Sequence, residues 1–469
     1  MLVRDSRRLI LFVAPTLLLV IFAIRLYCNQ SVFPENVKAW VPPRLSKAFG
    51  KGEEPVYANE TLSGDVPDAQ TTPVNGAIEV APQEGDQLDD TLIPQGADST
   101  HQEVFSVSTK DRKYFPIEFG DGFRALNPNI IPHPTLEETW IIVAQWRHDD
   151  GEESSPWFTE LVCNAAFQDG ALRCLQSPMN LPVAATVGGN CEGDLSYFNW
   201  NFGPHDARVF FGPEKPYTTY GSNSGFTCFG QWVQDFRTLV DWKGDRGNLS
   251  EFRVGTELQR PTQWNPIEKN WFLFWDSSGT MYTHYDITPK RVFAQVNGDG
   301  SVGPDLAPLA EASDQQCLAK YLPKLAPELE SIHQTTNSLQ ITMCRRDDPM
   351  CVPDDSNTFI MMIYQHKTFY NYHSVYEPYV ILFRRHAPFE IHAMSRQPLW
   401  IHGRQRHPDK DTSDMFYVTS MSWRQKGQTY HGHIDDELFL AFGIEDERTA
   451  GINLLADDML KNLGLCMEA

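Results

Sequence analysis

From residue 101 onward the chain repeats one phrase of polar and apolar positions. A polar cluster leads into an apolar run, a tight turn follows, and a second apolar run returns, often with a third behind it. NPNIIPHP is followed by TLEET and then WIIVAQWRH. HDARVFF is followed by GPEKP and YTTYGSNS, with FGQWVQDFRTLVDW third. IEKNWFLFW, DSSG, MYTHYDI and KRVFAQV make the next unit, and SLQITMCRR, a long turn, FIMMIYQHK and EPYVILFRR the one after. MFYVTSMSW, RQKGQ, DDELFLAFGIED and TAGINLLADDML make the last. Runs this short, rich in β-branched and aromatic residues and bounded by Gly, Pro and Asp, are strands joined by turns. Five such units of roughly 60–80 residues predict an all-β luminal domain, a five-bladed β-propeller. A pair of β-sandwiches is the alternative, and it leaves the repeated polar-then-apolar starts without a reason. The best helical segment is LAKYLPKLAPELESI (318–332), between units.

The N-terminal part reads differently. Residues 9–24, LILFVAPTLLLVIFAI, are one apolar block preceded by Arg4, Arg7 and Arg8. Extended through Tyr27 with Arg25 snorkelling, the block approaches the ~20 residues that a bilayer span needs. No small-x-small cleavage site follows, so a retained signal anchor is expected, with the arginine-flanked end in the cytosol. Residues 28–100 are rich in Pro, Gly, Asp, Glu, Thr and Gln, and bury too little to fold alone. The expected layout is a cytosolic tail (1–8), a transmembrane helix (9–27), a flexible stem (28–100) and the propeller (101–469).

Charge and cysteines sharpen this layout. A formal charge of −22 argues against nucleic acid as a partner. Apart from Cys28 at the membrane edge, eight cysteines remain, none in a C-x-x-C pair. An even set without metal spacing reads as a disulfide framework in an oxidising lumen. The spacings of Cys163 with Cys174 and Cys344 with Cys351 suit clamps across hairpins, and Cys466 suits a tie to an early or inter-blade cysteine. Sequons at Asn29, Asn59 and Asn248 agree. A single-pass type II protein of the Golgi or endoplasmic reticulum membrane is expected.

In a propeller the inner strands start at one face and the second strands end there. That register collects Asn127, Asn129, His205, Asp206, Arg208, Glu268, Lys269 and Asn270 from inner-strand starts. Arg147, Asn223, Gln365, His366 and Asp446 arrive from second-strand ends, alongside Gln145, Asp286 and Glu445. Glycosyl chemistry needs paired carboxylates, one moving a proton and one acting on the sugar's opposite face or on its oxocarbenium-like charge. Asp206, Glu268 and Asp446 are the candidate catalytic acids, and the amides, Arg, Lys and His would hold hydroxyl groups. The alternative for Asp206 and Arg208, two residues apart on one strand, is an ion pair that braces blades. YHGHIDDELF (430–439) offers His431, His433, Asp435 and Asp436, which reads as a polar or substrate-facing loop rather than a metal cluster. NGDGS (297–301) reads as a turn, since it lacks the remaining calcium ligands. No resident metal or cofactor is expected.

Asn127-Pro-Asn129, Asp206-Ala-Arg208 and Glu268-Lys-Asn-Trp271, leading the first three units, resemble the five-bladed propeller enzymes that act on glycans. That superfamily includes propeller glycosidases, β-mannoside phosphorylases and related β-mannosyltransferases. The second-blade signature commonly carries Asp-Pro-Arg, and this chain has Ala207. The resemblance implies a catalytic or transition-state-stabilising role for Asp206 and a general-acid role for Glu268. Asn127 and Asn129 stand where some relatives place a catalytic Asp. This tilts the expectation from a glycoside hydrolase toward a glycosyltransferase, possibly mannosyl-transferring, with a glycan acceptor and a sugar-nucleotide donor. A propeller hydrolase and a non-catalytic glycan-binding propeller are the alternatives.

Overall fold

A computed structural model describes residues 97–147, 157–244, 247 and 251–466. The expected tail, anchor and nearly all of the stem lie outside the described residues, as do the three sequons. Among the described residues no helix is long and apolar enough to cross a membrane.

Five antiparallel units follow one another in chain order, matching a propeller. Blade one comprises Arg124–Pro132, Trp140–Arg147, Glu160–Gln168 and Ala171–Cys174. Blade two comprises His205–Phe211, Pro216–Asn223, Phe229–Asp235 and the short Thr256–Glu257. Blade three is Phe272–Trp275, Met281–Asp286 and Val292–Gln295. Blade four is Leu339–Thr342, Thr358–Tyr370, His373–Arg384 and Ile391–Ser395. Blade five is Phe416–Trp423, Glu437–Ile444 and Arg448–Leu455.

The strands read as continuous apolar runs because neighbouring blades cover both faces. Every residue of Pro216–Asn223 is buried. Phe439 of blade five packs edge-on against Phe115 and Trp140, and Val209 and Phe211 of blade two share a core with Ile131, Ile141 and Val143 of blade one. Each such side chain contributes ~1.5–3 kcal/mol on leaving water. Amide side chains tie neighbouring blades together. Asn129 donates to Ala207 O and accepts from Val209 N. Asn337 makes the same two-way bond with Met421, and Gln365 with Val418.

A strand that precedes blade one completes the ring. Phe115–Glu118 pairs antiparallel with the outer strand of blade five and parallel with Ala171–Cys174 of blade one. Two edges that would template pairing with other chains are thereby covered. All eight described cysteines form disulfides: Cys163–Cys174, Cys191–Cys228, Cys317–Cys466 and Cys344–Cys351. The expected helix at 318–332 is corrected. The helix spans Glu311–Tyr321, and Pro323 and Pro327, which lack an N–H to donate, stop it before Glu330–Gln334 becomes a strand.

Candidate active site

Three blades begin with the same backbone device. Asn127, Asp206 and Asn270 take positive φ values of 53°, 52° and 64° immediately before their inner strands settle into register. In blades one and two the pairing slips there, between Leu126 and Asn129 and between His205 and Arg208. Asn and Asp tolerate this left-handed conformation, and a bulge re-aims the side chain it carries. Just upstream, Gly203 has φ +103° and would place a Cβ 2.0 Å from the Phe158 carbonyl, so glycine is required there.

The Asp206 carboxylate faces a cleft of about 140 Å³ lined also by His205, Arg208, Lys269, Asn270 and Trp271. Asn127 of blade one donates to Oδ1, and Gln145 accepts the Asp206 backbone N–H at 2.9 Å. Arg208 does not pair with this carboxylate. Its Nη1 reaches the Asp206 carbonyl at 3.0 Å and its Nε the Thr335 carbonyl at 3.1 Å. The bracing ion pair considered for the two residues is therefore not formed. Beneath them Glu160, fully buried, accepts the Ala207 N–H at 3.0 Å. Burial pushes its carboxyl up to about 8, against that hydrogen bond and with Asp206's charge adding to the rise. Burial also pushes His205 down to about 4, leaving a neutral ring.

Asp446 lies within reach of the Asp206 charge. Glu445 and Asp446, with φ values of 55° and 50°, make the tight turn after the second strand of blade five. Burial raises the Asp446 carboxyl, and the neighbouring negative charge of Asp206 raises it further. Among the described residues its carboxylate has no hydrogen-bond partner, while Arg147 holds its backbone carbonyl at 2.9 Å. Tyr376 and Tyr417, with ring centroids 4.8 Å apart, feel the charges of both Asp206 and Asp446.

Lys269, in the cleft lining, lies within electrostatic reach of Lys367 and His333. Burial lowers the Lys367 ammonium, and the charge of Lys269 lowers it more. His333 is pushed down to about 4 by burial and then by these two lysines. Neither lysine has a carboxylate partner within ion-pair distance among the described residues. The charge of Asp446 acts on Lys367 in the opposite sense, raising it.

The remaining expected residues are placed elsewhere or otherwise engaged. Glu268 is buried, bound by Arg260 at 3.0 Å and by the Asn265 N–H at 2.7 Å, and Arg260 also binds Asp286. Asn129 and Gln365 are the inter-blade clamps. Asn223 is buried, with its amide on the Asn201 carbonyl. His366 bonds Glu330 at 3.0 Å on the opposite face of its strand from Lys367. His431 meets Thr342 at 2.7 Å, and Asp435 accepts the Arg346 N–H at 2.8 Å. Both lie at the far end of blade four's inner strand, away from the cleft. Among the described residues no group of His, Cys, Asp and Glu could hold a metal ion.

Glu160, Lys367, His333, Tyr376 and Tyr417 escaped the sequence reading. Only Lys367 carried a signal, two residues after Gln365 on the same face of the strand. Above the cleft the short turn Gly193–Trp200 places Phe198 in the lining and leaves Tyr197 and Trp200 exposed. Cys191–Cys228 holds its base.

No family model matches the chain, and no curated protein matches it. Solved structures do. A β-1,2-mannobiose phosphorylase from Listeria innocua, in complex with β-1,2-mannobiose, is similar at 10% identity over 76% of this chain and 98% of that one, with a TM-score of 0.39. A thermostable family-43 glycoside hydrolase is similar at 10% identity over 74% and 94%, with a TM-score of 0.36. The catalytic domain of the Coprinopsis cinerea GH62 α-L-arabinofuranosidase is similar at 7% identity over 76% and 96%, with a TM-score of 0.33.

Proposed function

We propose that this chain is a glycan-active enzyme, a glycosyltransferase that moves a glycosyl group from a donor with a phosphate leaving group to a glycan hydroxyl. The observation that carries the reading is a charge grouping around the cleft: Asp206 and Asp446 act on one another, and Lys269 and Lys367, neither held in an ion pair among the described residues, lie within reach of them. A phosphate-linked donor, such as a sugar nucleotide, sets its negative charge against Lys269 and Lys367. The acceptor oxygen attacks the anomeric carbon and its proton passes to Asp446. The bond to the phosphate oxygen breaks with its electron pair, and the lysines take up the developing charge. Asp446 suits the base because its raised carboxyl lies nearer the working pH. Asp206, fixed by Asn127, sets its negative charge against the oxocarbenium-like centre.

The protein's place in the secretory pathway is part of the proposal. Four disulfides support an oxidising lumen, and residues 9–27 would anchor the head there. The hydrolase alternative assigns Asp446 the opposite proton movement, protonating the leaving oxygen. One experiment separates the two. Purified full-length protein is assayed with a panel of sugar nucleotides plus acceptor, and with aryl glycosides in water, across pH. Transfer from a nucleotide donor whose rate rises with pH to a plateau is expected. Aryl glycoside hydrolysis that falls over the same range overturns the transferase.

A further inference from the structure

A second and larger cavity, about 990 Å³, lies on the other side of blade four's long hairpin, Thr358–Tyr370 with His373–Arg384. Strand alternation gives this hairpin two faces. Lys367 and Tyr376, which pair across it, face the charges of Lys269, Asp206 and Asp446, whereas Thr368, Tyr370, His373 and Glu377 line the second cavity. The adjacent residues Glu445 and Asp446 divide in the same way, Glu445 into the second cavity and Asp446 toward the charge of Asp206. The two spaces share a wall and a turn.

The lining is built for hydroxyl groups. Three histidine–carboxylate pairs stand in it: His101 with Glu377 at 3.2 Å, His373 with Glu445 at 3.2 Å, and His407 with Asp414 at 2.9 Å. Each carboxylate is fixed by a second protein donor, Arg404, the Met415 N–H and the Gln405 N–H respectively. Each keeps lone pairs free for a further donor. Trp400, almost fully buried, forms part of the wall, with the Arg406 guanidinium over its ring. The formal charges disfavour an anion, since Glu377, Asp411, Asp414 and Glu445 outnumber Arg406 and Lys410. No metal grouping occurs among the described residues. A volume near the top of the usual ~300–1,000 Å³ range for ligand sites, with mixed donors and acceptors, fits an uncharged polyol of several rings.

We propose that this cavity binds a neutral oligosaccharide, holding the sugars of the acceptor that lie beyond the one in the axial cleft. The identity of the ligand as acceptor rests on the transferase reading, while the cavity's binding of oligosaccharide is read separately. Full-length protein in detergent is titrated by calorimetry with mono-, di- and tetrasaccharides of mannose, galactose and glucose. In at least one series the tetrasaccharide binds tenfold or more tightly than the disaccharide. Thr368→Trp, which fills the space, and His407→Ala, which opens its rim, both remove that gain and leave monosaccharide binding and melting temperature unchanged. Asp206→Asn keeps the gain while lowering turnover roughly 10²–10⁴-fold. A length-dependent gain in protein without transfer activity upholds the cavity and overturns the transferase. The cavity proposal is overturned by the absence of a length-dependent gain in every series, or by its survival in both cavity variants.

Discussion

Blades two and three open with nearly the same sequence device and put it to different uses. Each sets an acid and a cation before an apolar inner strand, and each has a left-handed residue at the entry, Asp206 in one and Asn270 in the other. In blade two the left-handed residue is itself the acid. The bulge aims its carboxylate into the cleft, and Arg208 turns to backbone carbonyls instead of closing on it. In blade three the acid precedes the left-handed residue, and Glu268 points to Arg260. A buried acid that finds a cation on a neighbouring loop becomes a brace; one that finds only an amide stays available. The two-residue offset between Glu268 and Asn270 separates them.

The largest effect that tests this contrast is on rate. Asp206→Asn and Asp446→Asn are each expected to lower turnover roughly 10²–10⁴-fold with melting temperature little changed. Comparable melting losses with normal turnover per folded molecule would make blade two a brace as well. For blade three the reverse holds. Arg260→Gln strips both Glu268 and Asp286 of their cation and should cost ~3–5 kcal/mol in denaturant unfolding, whereas Glu268→Gln, after which Arg260 keeps Asp286, should cost less, with activity retained in what stays folded in both. A Glu268→Gln protein that is fully stable yet inactive would return the acid to the chemistry.

The layers beneath the two acids differ too, and pH reads the difference. Glu160 has its carboxyl raised by burial, so the folded state holds a proton that the unfolded chain releases. The stability this contributes is full below the ordinary carboxylate range and is lost as pH rises through about 8. Wild-type melting temperature should therefore fall from pH 5 to 8 more steeply than that of Glu160→Gln. Equal slopes would mean that Glu160 is ionised beside Asp206. The smallest expected effect is at the cations. Lys269→Gln or Lys367→Gln should each raise the donor KM about tenfold, the scale of one lost charge contact with phosphate, and their effects should weaken as salt rises. A KM that stays constant in both variants would remove the anionic donor.

Much of this molecule follows from local pattern. The strand–turn phrases, the five units in order, and the hairpin disulfides Cys163–Cys174 and Cys344–Cys351 are set by residues close together in the chain, so their spacing shows them. The convergence of Asp206 and Asp446 follows from strand register once the propeller is assumed. What only the tertiary structure decided is the partner of each polar side chain. Arg260 captures Glu268 from a separate loop, and parallel pairing of His431–His433 with Leu339–Thr342 carries His431 to the far end of the blade. The long hairpin of blade four brings Lys367 to Lys269 across nearly a hundred residues of chain, and a buried Glu160 sits under a strand of the next blade. Alternation and spacing describe a side chain's own strand. Whether it meets a cation, an amide or open solvent depends on what neighbouring blades bring against it, and that is set by the packing of the whole ring.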